Sequence, residues 1–275
     1  MDLGIQNKKA IVLGSSQGLG YACARALARE GVHVWLNGRD GKKLEDAVAA
    51  LRAELLTANQ SQVAAGRALP LVPQISFVVG DLTTPEGRSS IQSACQEPDI
   101  LVTNNAGPPP GKLEDWTPEV WASVLQGNLL GHVFLIQGFV RGMQARRFGR
   151  IINITSAMVK APRSHQGLST TARAGLTAFS KALALDVAKD NVTINNLLPE
   201  RIDTPRQQQL TERLMASEGL DFSSARKKLE ASIAAKRFGT PEEFGAACAF
   251  LCSVQASYIS GQNLQIDGGS FPGLM

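Results

Sequence analysis

A glycine-rich segment follows the first apolar run of the chain, and its residue types are those that bind phosphate. Glycines stand at positions 14, 18 and 20, after the apolar residues 9–13 and before a stretch with helical spacing at 19–29. Glycine permits a tight turn, and the N-terminus of the following helix directs unpaired N–H groups at an anion. Three glycines alone could mark only a turn, but the strand before them and the helix after them favour a dinucleotide site. The residues assigned to this site are Gly14, Ser15, Ser16, Gly18, Leu19 and Gly20.

The end of the second apolar run indicates which dinucleotide is bound. An acidic residue there would bind the ribose 2′-hydroxyl of NAD and repel the 2′-phosphate of NADP. The sequence instead has neutral Asn37, and then Arg39, whose guanidinium can bind a phosphate through two hydrogen bonds. Ser15 and Ser16 add hydroxyl donors nearby. Arg39 could also be a solvated turn residue, but the combination favours NADP over NAD.

The elements that must position these residues alternate along the chain. Short apolar runs, typical of strands that are buried on both faces, are separated by longer helical stretches. This alternation predicts one α/β domain over residues 1–275, a Rossmann-type doubly wound parallel sheet of about seven strands with helices on both faces. The predicted strands are 9–13, 32–36, 75–79, 100–103, 150–155, 192–197 and 264–266.

Two segments interrupt the alternation. Residues 58–73 are rich in Ala, Gln, Gly and Pro, which predicts the end of a helix followed by a surface loop. Residues 205–237 are charged and helical, which predicts a helical hairpin that covers the binding cleft.

The composition limits the partners and the compartment. The net charge is +4 and the pI is about 9.0, but the basic residues are scattered, so we expect no nucleic-acid partner. The four cysteines lack C-x-x-C spacing and are expected to be buried thiols rather than a metal site or a disulfide. The polar first ten residues and the lack of a long apolar window predict a cytoplasmic protein without a membrane partner.

Further motifs follow the glycine-rich segment in a fixed order. They are Gly80-Asp81-Leu82, Asn104-Asn105-Ala106-Gly107, Gly127-Asn128-Leu129-Leu130-Gly131, Ile151-Ile152-Asn153-Ile154-Thr155-Ser156, Asn195-Asn196-Leu197-Leu198-Pro199, Asp203-Thr204-Pro205, and Gly261-Gln262 with Ile266-Asp267-Gly268-Gly269. With the spacing G-x-x-x-G-x-G, they resemble the motifs of the short-chain dehydrogenase/reductase family over nearly the whole chain. The chain is most similar to the 3-oxoacyl-acyl-carrier-protein reductase-like branch.

The resemblance implies an NADP-dependent oxidoreductase that acts on a small-molecule carbonyl/alcohol pair. It also implies a homotetramer, or failing that a dimer, assembled through residues 167–188 and 241–266. Ser156 would orient the carbonyl and Asn128 would anchor a water in the proton relay. Besides the glycine-rich segment, the implied cofactor-binding residues are Asp81, Leu82, Asn105, Ala106, Gly107, Arg173, Ile202 and Thr204.

Two catalytic positions depart from the family pattern. The resemblance places Ser169 where the family has the Tyr that transfers the proton, and Arg173 where it has Lys. A serine hydroxyl is a much weaker acid than a phenol and its side chain is shorter. Arg173 keeps a permanent charge that can bind the ribose, but it does not release a proton near neutral pH. The sequence therefore predicts a catalytic site of Ser156, Asn128, Ser169 and Arg173 with an atypical proton path.

Several groups could supply the missing proton transfer. Lys160 lies in the loop after the catalytic strand, and His165 lies four residues before Ser169. A water chain held by Ser156, Ser169 and Asn128 is a third route. The alternative is a catalytically silent NADP-binding protein, a sensor or the partner of an active homologue. Intact Ser156 and Asn128 favour the enzyme, because a sensor has no evident need of them.

The loop after the sixth predicted strand departs as well. Where the family has Pro-Gly, this chain has Pro199-Glu200-Arg201. Glu200 adds bulk and charge at the glycine position, and Arg201 is placed where it could meet an anionic substrate.

Overall fold

A parallel sheet runs through the middle of the molecule. The computed structural model describes residues 2–64 and 72–274. The strands are β1 (Lys9–Val12), β2 (His33–Gly38), β3 (Ile75–Val79), β4 (Ile100–Thr103), β5 (Gly149–Ile154), β6 (Val192–Pro199) and β7 (Asn263–Ile266). All pair in parallel in the order β3-β2-β1-β4-β5-β6-β7, which confirms the predicted doubly wound fold. The direction of winding reverses between β1 and β4, the point at which such sheets bind ligands.

Helices cover both faces of the sheet. They are α1 (Gly18–Arg29), α2 (Gly41–Ala64), α3 (Pro85–Ala94), α4 (Pro118–Leu125), α5 (Gly131–Ala145), α6 (Gly167–Val187), α7 (Pro205–Glu218), α8 (Phe222–Ala231) and α9 (Pro241–Cys252). In β1, Ala10 and Val12 pack with α1, α2 and α9, whereas Ile11 and Leu13 face the core formed by α3, α5 and α6. Side chains alternate between faces along a strand, so an all-apolar strand needs helices on both sides.

Helices α4 and α5 form one run with a π-helical turn at Gln126–Leu130. Among the described residues, only the run Pro118–Ala145 is long and apolar enough to cross a membrane by length and composition, and half of its most apolar window is buried inside the protein. Leu135 and Phe139 of α5 pack in the core under the sheet. Core helices of ordinary globular proteins pass the same test, so the run is weak support for a membrane span.

The two irregular segments behave differently. Helix α2 continues to Ala64, into the segment 58–73 where the end of a helix is predicted, and residues 65–71 of the predicted loop lie outside the described residues. Helices α7 and α8 form the predicted hairpin, although turns replace helix after Ala231. At the base of this hairpin, Arg226 binds the carboxylate of Asp203 through both Nη atoms, at 3.2 and 2.7 Å.

A ladder of polar side chains crosses four strands, from the C-terminal end of β4 to the first residue of β7, and its first three members are buried. Thr103 Oγ1 of β4 donates to Asn153 Oδ1 of β5 at 2.6 Å, and Asn153 Nδ2 donates to Asn196 Oδ1 of β6 at 3.1 Å. Asn196 Nδ2 in turn donates to Asn263 Oδ1 of β7 at 2.8 Å. These residues face one another in the strand register, so each bond joins direct neighbours. The ladder replaces strand-to-strand apolar packing with satisfied polar contacts directly beneath the expected site.

The cysteines pack as small apolar side chains. All four are buried free thiols, as predicted, and Cys23, Cys248 and Cys252 lie between α1 and α9. Within residues 2–64 and 72–274, no group of three or more His, Cys, Asp or Glu side chains could hold a metal ion.

Candidate active site

The glycine-rich segment forms a tight turn between β1 and α1. Gly14 and Gly18 have φ values of 55° and 62°, in the left-handed region that favours glycine. A Cβ on Gly20 would lie 2.3 Å from the carbonyl oxygen of Gly14, and Asn104 Nδ2 holds that same oxygen at 3.0 Å. The N-cap residue Gln17 makes no side-chain capping bond, so the first-turn N–H groups of α1 remain available to an anion. The geometry fits the pyrophosphate of a dinucleotide.

The side chain of Ser15 is turned away from this turn. Its Oγ donates to the carbonyl of Val12 at 2.6 Å, and its backbone N–H donates to the carbonyl of Asn37 at 2.9 Å. Ser15 is buried and these bonds hold it against the ends of β1 and β2, so the prediction that the Ser15 hydroxyl faces the cofactor is wrong. Ser16, which is half-buried, remains a candidate for that contact, and Leu19 packs partly against the core.

The side chain of Asn37 does not face the cofactor site either, contrary to the prediction. The second strand continues to Gly38, and Asn37 is buried with its Nδ2 donating to the carbonyls of Val78 and Gly80, at 3.2 and 3.0 Å. Its side chain therefore joins β2 to β3 and does not stand at a ribose. The exposed residue after the strand is Arg39, with 75% of its side chain accessible.

Arg39 lies beside an acidic partner on the neighbouring strand end. Its Nη1 is 3.9 Å from Asp81 Oδ2, and Asp81 Oδ1 accepts from the N–H and the hydroxyl of Thr83, at 2.9 and 2.8 Å. Partial burial alone would raise the pKa of Asp81, but the Thr83 hydrogen bonds and the Arg39 charge outweigh it and hold the pKa below its usual value. The two charges are thus fixed where the resemblance places the adenosine end of the cofactor. Leu82, by contrast, points its side chain into the core.

The loop after β4 is attached to the π-helical turn. Asn105 Nδ2 donates to the carbonyl of Gly127 at 2.8 Å, and Asn128 Nδ2 donates to the carbonyl of Ala106 at 3.1 Å. Asn128 is buried, so its side chain positions the loop. Single π-turns within α-helices are frequent at functional sites.

Ser156 and Ser169 approach this loop from β5 and α6. Ser156 is half-buried, and its Oγ accepts from the N–H of Met158 at 3.2 Å. Ser169 Oγ lies 3.6 Å from where a Cβ on Gly107 would stand, close to the loop after β4. The predicted catalytic residues therefore gather at the C-terminal edge of β4 and β5.

Arg173 is fastened to the same edge by backbone carbonyls. Its Nη1 donates to the carbonyls of Ile154 and Thr155, and its Nη2 donates to the carbonyl of Asn105 at 3.4 Å. Its Nε is buried and has no partner, and no carboxylate among the described residues pairs with it. Burial, with a smaller effect of the charge on Arg206, lowers the pKa of Arg173 to about 10, so it remains a cation at neutral pH.

His132 is a neighbour of this site that the sequence reasoning missed. It lies one helical turn after Asn128, it is 3% exposed, and its Nδ1 has no hydrogen-bond partner. Burial, helped by the positive charge of Arg173, lowers the pKa of His132 to about 3, so the imidazole is neutral near pH 7. Residues four apart share one helix face, and this spacing from Asn128 could have identified His132.

The two side chains predicted as alternative proton donors make other contacts. Lys160 Nζ donates to Gln265 Oε1 of β7 at 3.3 Å and lies 5.7 Å from the ring centroid of Phe271. His165 is exposed, and its carbonyl accepts the N–H of Gly111 at 3.0 Å. Neither contact connects these residues to Ser156 or Ser169.

The segment after β6 closes the opposite side of the site. Ile202 is buried and pairs with Gly239 in an isolated bridge. Thr204 caps α7 by accepting the N–H of Gln207 at 3.4 Å, and its Cβ lies 4.0 Å from where a Cβ on Gly18 would stand. The glycine-rich turn and the post-β6 segment therefore face each other across the sheet edge.

Comparison with known proteins identifies the family of the chain. A profile described as Enoyl-(Acyl carrier protein) reductase matches residues 76–270. The chain is 33% identical to Dehydrogenase/reductase SDR family member 4 of Oryctolagus cuniculus over 267 residues, 97% of this chain and 94% of that one. This chain belongs to the short-chain dehydrogenase/reductase family. Its expected family, fold and oxidoreductase class are confirmed.

Two further members of the short-chain dehydrogenase/reductase family refine the comparison. The 3-oxoacyl-[acyl-carrier-protein] reductase of Aquifex aeolicus (strain VF5) is 32% identical over 272 residues, covering 98% of this chain and all of that one. The structure of L-sorbose reductase from Gluconobacter frateurii, complexed with NADPH and L-sorbose, superposes with a TM-score of 0.87 at 32% identity, over 100% of both chains. The active site of this chain contains no phenol. The two tyrosines of the sequence are Tyr21 in α1 and the fully exposed Tyr258.

Proposed function

We propose that this protein is an NADP-dependent oxidoreductase that interconverts a carbonyl and an alcohol, with its active site at the C-terminal edge of β4, β5 and β6. The observation that carries the proposal is the convergence of Ser156, Asn128 and the glycine-rich turn on this one edge. Exposed Arg39 at the end of β2 supports NADP over NAD, since its guanidinium suits a 2′-phosphate. The complex of L-sorbose reductase with NADPH adds support.

The residues of the chain have distinct roles in this proposal. The nicotinamide supplies or accepts the hydride, and the Ser156 hydroxyl donates a hydrogen bond that orients the carbonyl oxygen. The charge of Arg173, which is bound to the carbonyl of Thr155 directly before Ser156, stabilises negative charge that develops on that oxygen. A chain of waters held by Ser156, Ser169 and Asn128 relays the proton between solvent and the substrate oxygen, because neither Ser169 nor Arg173 releases one near neutral pH.

A catalytically silent NADP-binding protein is the second candidate. It is favoured by the commitment of both Arg173 Nη atoms to backbone carbonyls and by the serine at position 169. The double variant Ser169→Tyr with Arg173→Lys separates the two, because it restores the family pair.

The test is NADPH oxidation with a broad panel of ketones and 3-oxoacyl thioesters, for the parent, the double variant and Ser156→Ala. An enzyme should turn over at least one ketone as the parent, and Ser156→Ala should lower that rate about 10²-fold or more. NADPH should bind several-fold more tightly than NADH, and Arg39→Ala should reduce this difference in affinity. A silent parent with an active double variant would favour the second candidate, and an active parent unaffected by Ser156→Ala would contradict our assignment of the site.

A further inference from the structure

A cavity of about 330 Å³ opens beside the catalytic strand, on the side away from the glycine-rich turn. Its walls are the loop after β5, the turn after β6, the end of the α7–α8 hairpin and the C-terminal tail. Ala157, the neighbour of Ser156, forms part of the wall, so the cavity adjoins the proposed carbonyl site. The polar and charged side chains that line it are Arg163, Glu200, Arg201, Ser232, Gln265 and Ser270.

The charges in this cavity do not balance. Two arginines and one glutamate line it, which leaves one positive charge in excess. Glu200 is already engaged, because Arg163 Nη2 donates to its Oε1 at 2.5 Å. The guanidinium of Arg201 makes no hydrogen bond or ion pair within residues 2–64 and 72–274. A half-buried cation without a partner is unfavourable, and a bound anion would relieve it.

The backbone at Arg201 is also unusual. Its φ is 57°, in the left-handed region, where a glycine would be more stable than an arginine. The glycine of the family pattern lies one position earlier, at Glu200. Burial, together with the charge of Arg163, lowers the pKa of Arg201, and Glu200 offsets this only in part. Non-glycine residues in this conformation cluster at ligand sites, where strain is maintained by the surrounding structure.

We infer that the substrate is an oxo acid whose carboxylate binds Arg201 in this cavity while its carbonyl reaches Ser156. A single unpaired guanidinium matches a monoanion, and a carboxylate can accept two parallel hydrogen bonds from it. The apolar part of the wall, which includes Ile233 and Phe271, suits the carbon skeleton of such an acid. This inference rests on the proposed function for the carbonyl, but the anion site can be measured separately.

The experiment compares acids with their neutral esters. The probes are 2-oxohexanoate, 4-oxopentanoate and 4-oxo-4-phenylbutanoate, each with its methyl ester, titrated calorimetrically in the presence of NADP⁺ so that no reduction occurs. At least one acid should bind about tenfold more tightly than its ester. Arg201→Gly should weaken binding of that acid by a similar factor and leave the ester unchanged, whereas Arg201→Lys should keep part of the preference.

Arg147→Gly is the matched control. Arg147 is also an arginine in the left-handed region, with φ 54°, but it lies before β5 at the opposite edge of the sheet. Both glycine variants should unfold at or above the temperature of the parent, because each relieves the same backbone strain, and Arg147→Gly should bind the acid as the parent does.

The outcomes separate the inference from the proposed function. Equal affinity for acids and esters, absence of acid binding, or equal effects of Arg201→Gly and Arg147→Gly would overturn the anion site. Reduction of neutral ketones alone would keep the proposed function and overturn the oxo acid. An acid that binds through Arg201 but is never reduced by NADPH would keep the anion site, and would contradict the carbonyl reduction and with it the oxo acid as substrate.

Discussion

At the scale of single residues, Arg173 and His132 form an unusual pair. Among the described residues, only backbone carbonyls bind the charged guanidinium of Arg173, and His132 is a buried imidazole with an unpartnered nitrogen. A lysine at position 173 could lose its proton when buried, but an arginine keeps its charge. The charge of Arg173, whose pKa is about 10, therefore opposes protonation of His132 at neutral and acidic pH.

This opposition predicts a pH dependence of stability. The pKa of His132 falls from 6.5 to about 3 on folding, so between these values the unfolded chain binds a proton that the folded chain does not. Stability from this group is therefore complete above pH 6.5 and is lost as the pH falls, by up to about 1.4 kcal/mol per pH unit. Urea denaturation of His132→Leu from neutral pH down to about pH 4 should show a shallower loss than the parent.

The control for this measurement is His165→Leu, which removes an exposed histidine. Paired carboxylates also lose stability in acid, but they do so equally in the parent and in both variants, so the difference isolates His132. Parallel pH profiles for His132→Leu and the parent would contradict the buried neutral imidazole.

At the scale of elements, β1 and α1 approach each other closely at the glycine-rich turn. A Cβ on Gly20 would meet the Gly14 carbonyl oxygen at 2.3 Å, and backbone cannot move aside as a flexible side chain can. We predict that Gly20→Ala destabilises the protein by about 1–3 kcal/mol and weakens NADPH binding at least tenfold. Thermal unfolding and fluorescence titration with NADPH would measure the two effects.

Gly41→Ala provides the comparison for Gly20→Ala. Gly41 begins α2, and a Cβ there would lie 3.5 Å from Val79 Cγ2, an ordinary contact. This variant should bind NADPH normally and be as stable as the parent or slightly more so. If Gly20→Ala behaved in the same way, the close approach at the glycine-rich turn would have no role in the cofactor site.

The elements were more predictable from the sequence than the directions of side chains at their ends. Apolar runs identified all seven strands because burial on both faces leaves a local signal. The orientation of the Asn37 side chain depends on the carbonyls of Val78 and Gly80 at the end of β3, which it binds. No local sequence pattern reveals a partner that is so distant along the chain. Ser15 was misassigned for the same reason, since its hydroxyl accepts the N–H of Asn37 in β2, at 2.9 Å.

At the scale of the whole molecule, exposed apolar side chains occur in both of the predicted assembly stretches. Phe250 on α9 is 39% exposed and Leu264 on β7 is 40% exposed, both within the predicted assembly stretch 241–266. In the other stretch Leu185 is 75% exposed, whereas Ala172, one of the small residues there, is buried inside the chain. The tetramer remains a prediction that these surfaces support.

The assembly can be tested by introducing a charge. We predict that the parent sediments as a tetramer at micromolar concentration and that Phe250→Glu shifts it to a smaller species, because a carboxylate would be buried in the interface. Leu113→Glu, at a 75% exposed position outside both stretches, should leave the sedimentation coefficient unchanged. A monomeric parent would contradict the prediction.

The ladder of side-chain hydrogen bonds from Thr103 to Asn263 has a single direction across the sheet. Every donor in it points the same way, from β4 towards β7, so the local dipoles add instead of cancelling. Turning the Asn196 amide over would set its Nδ2 against Asn153 Nδ2 and its Oδ1 against Asn263 Oδ1. Asn196 is therefore held in one orientation by both of its neighbours, and an apolar side chain in its place would leave the buried Asn153 amide without one of its hydrogen bonds.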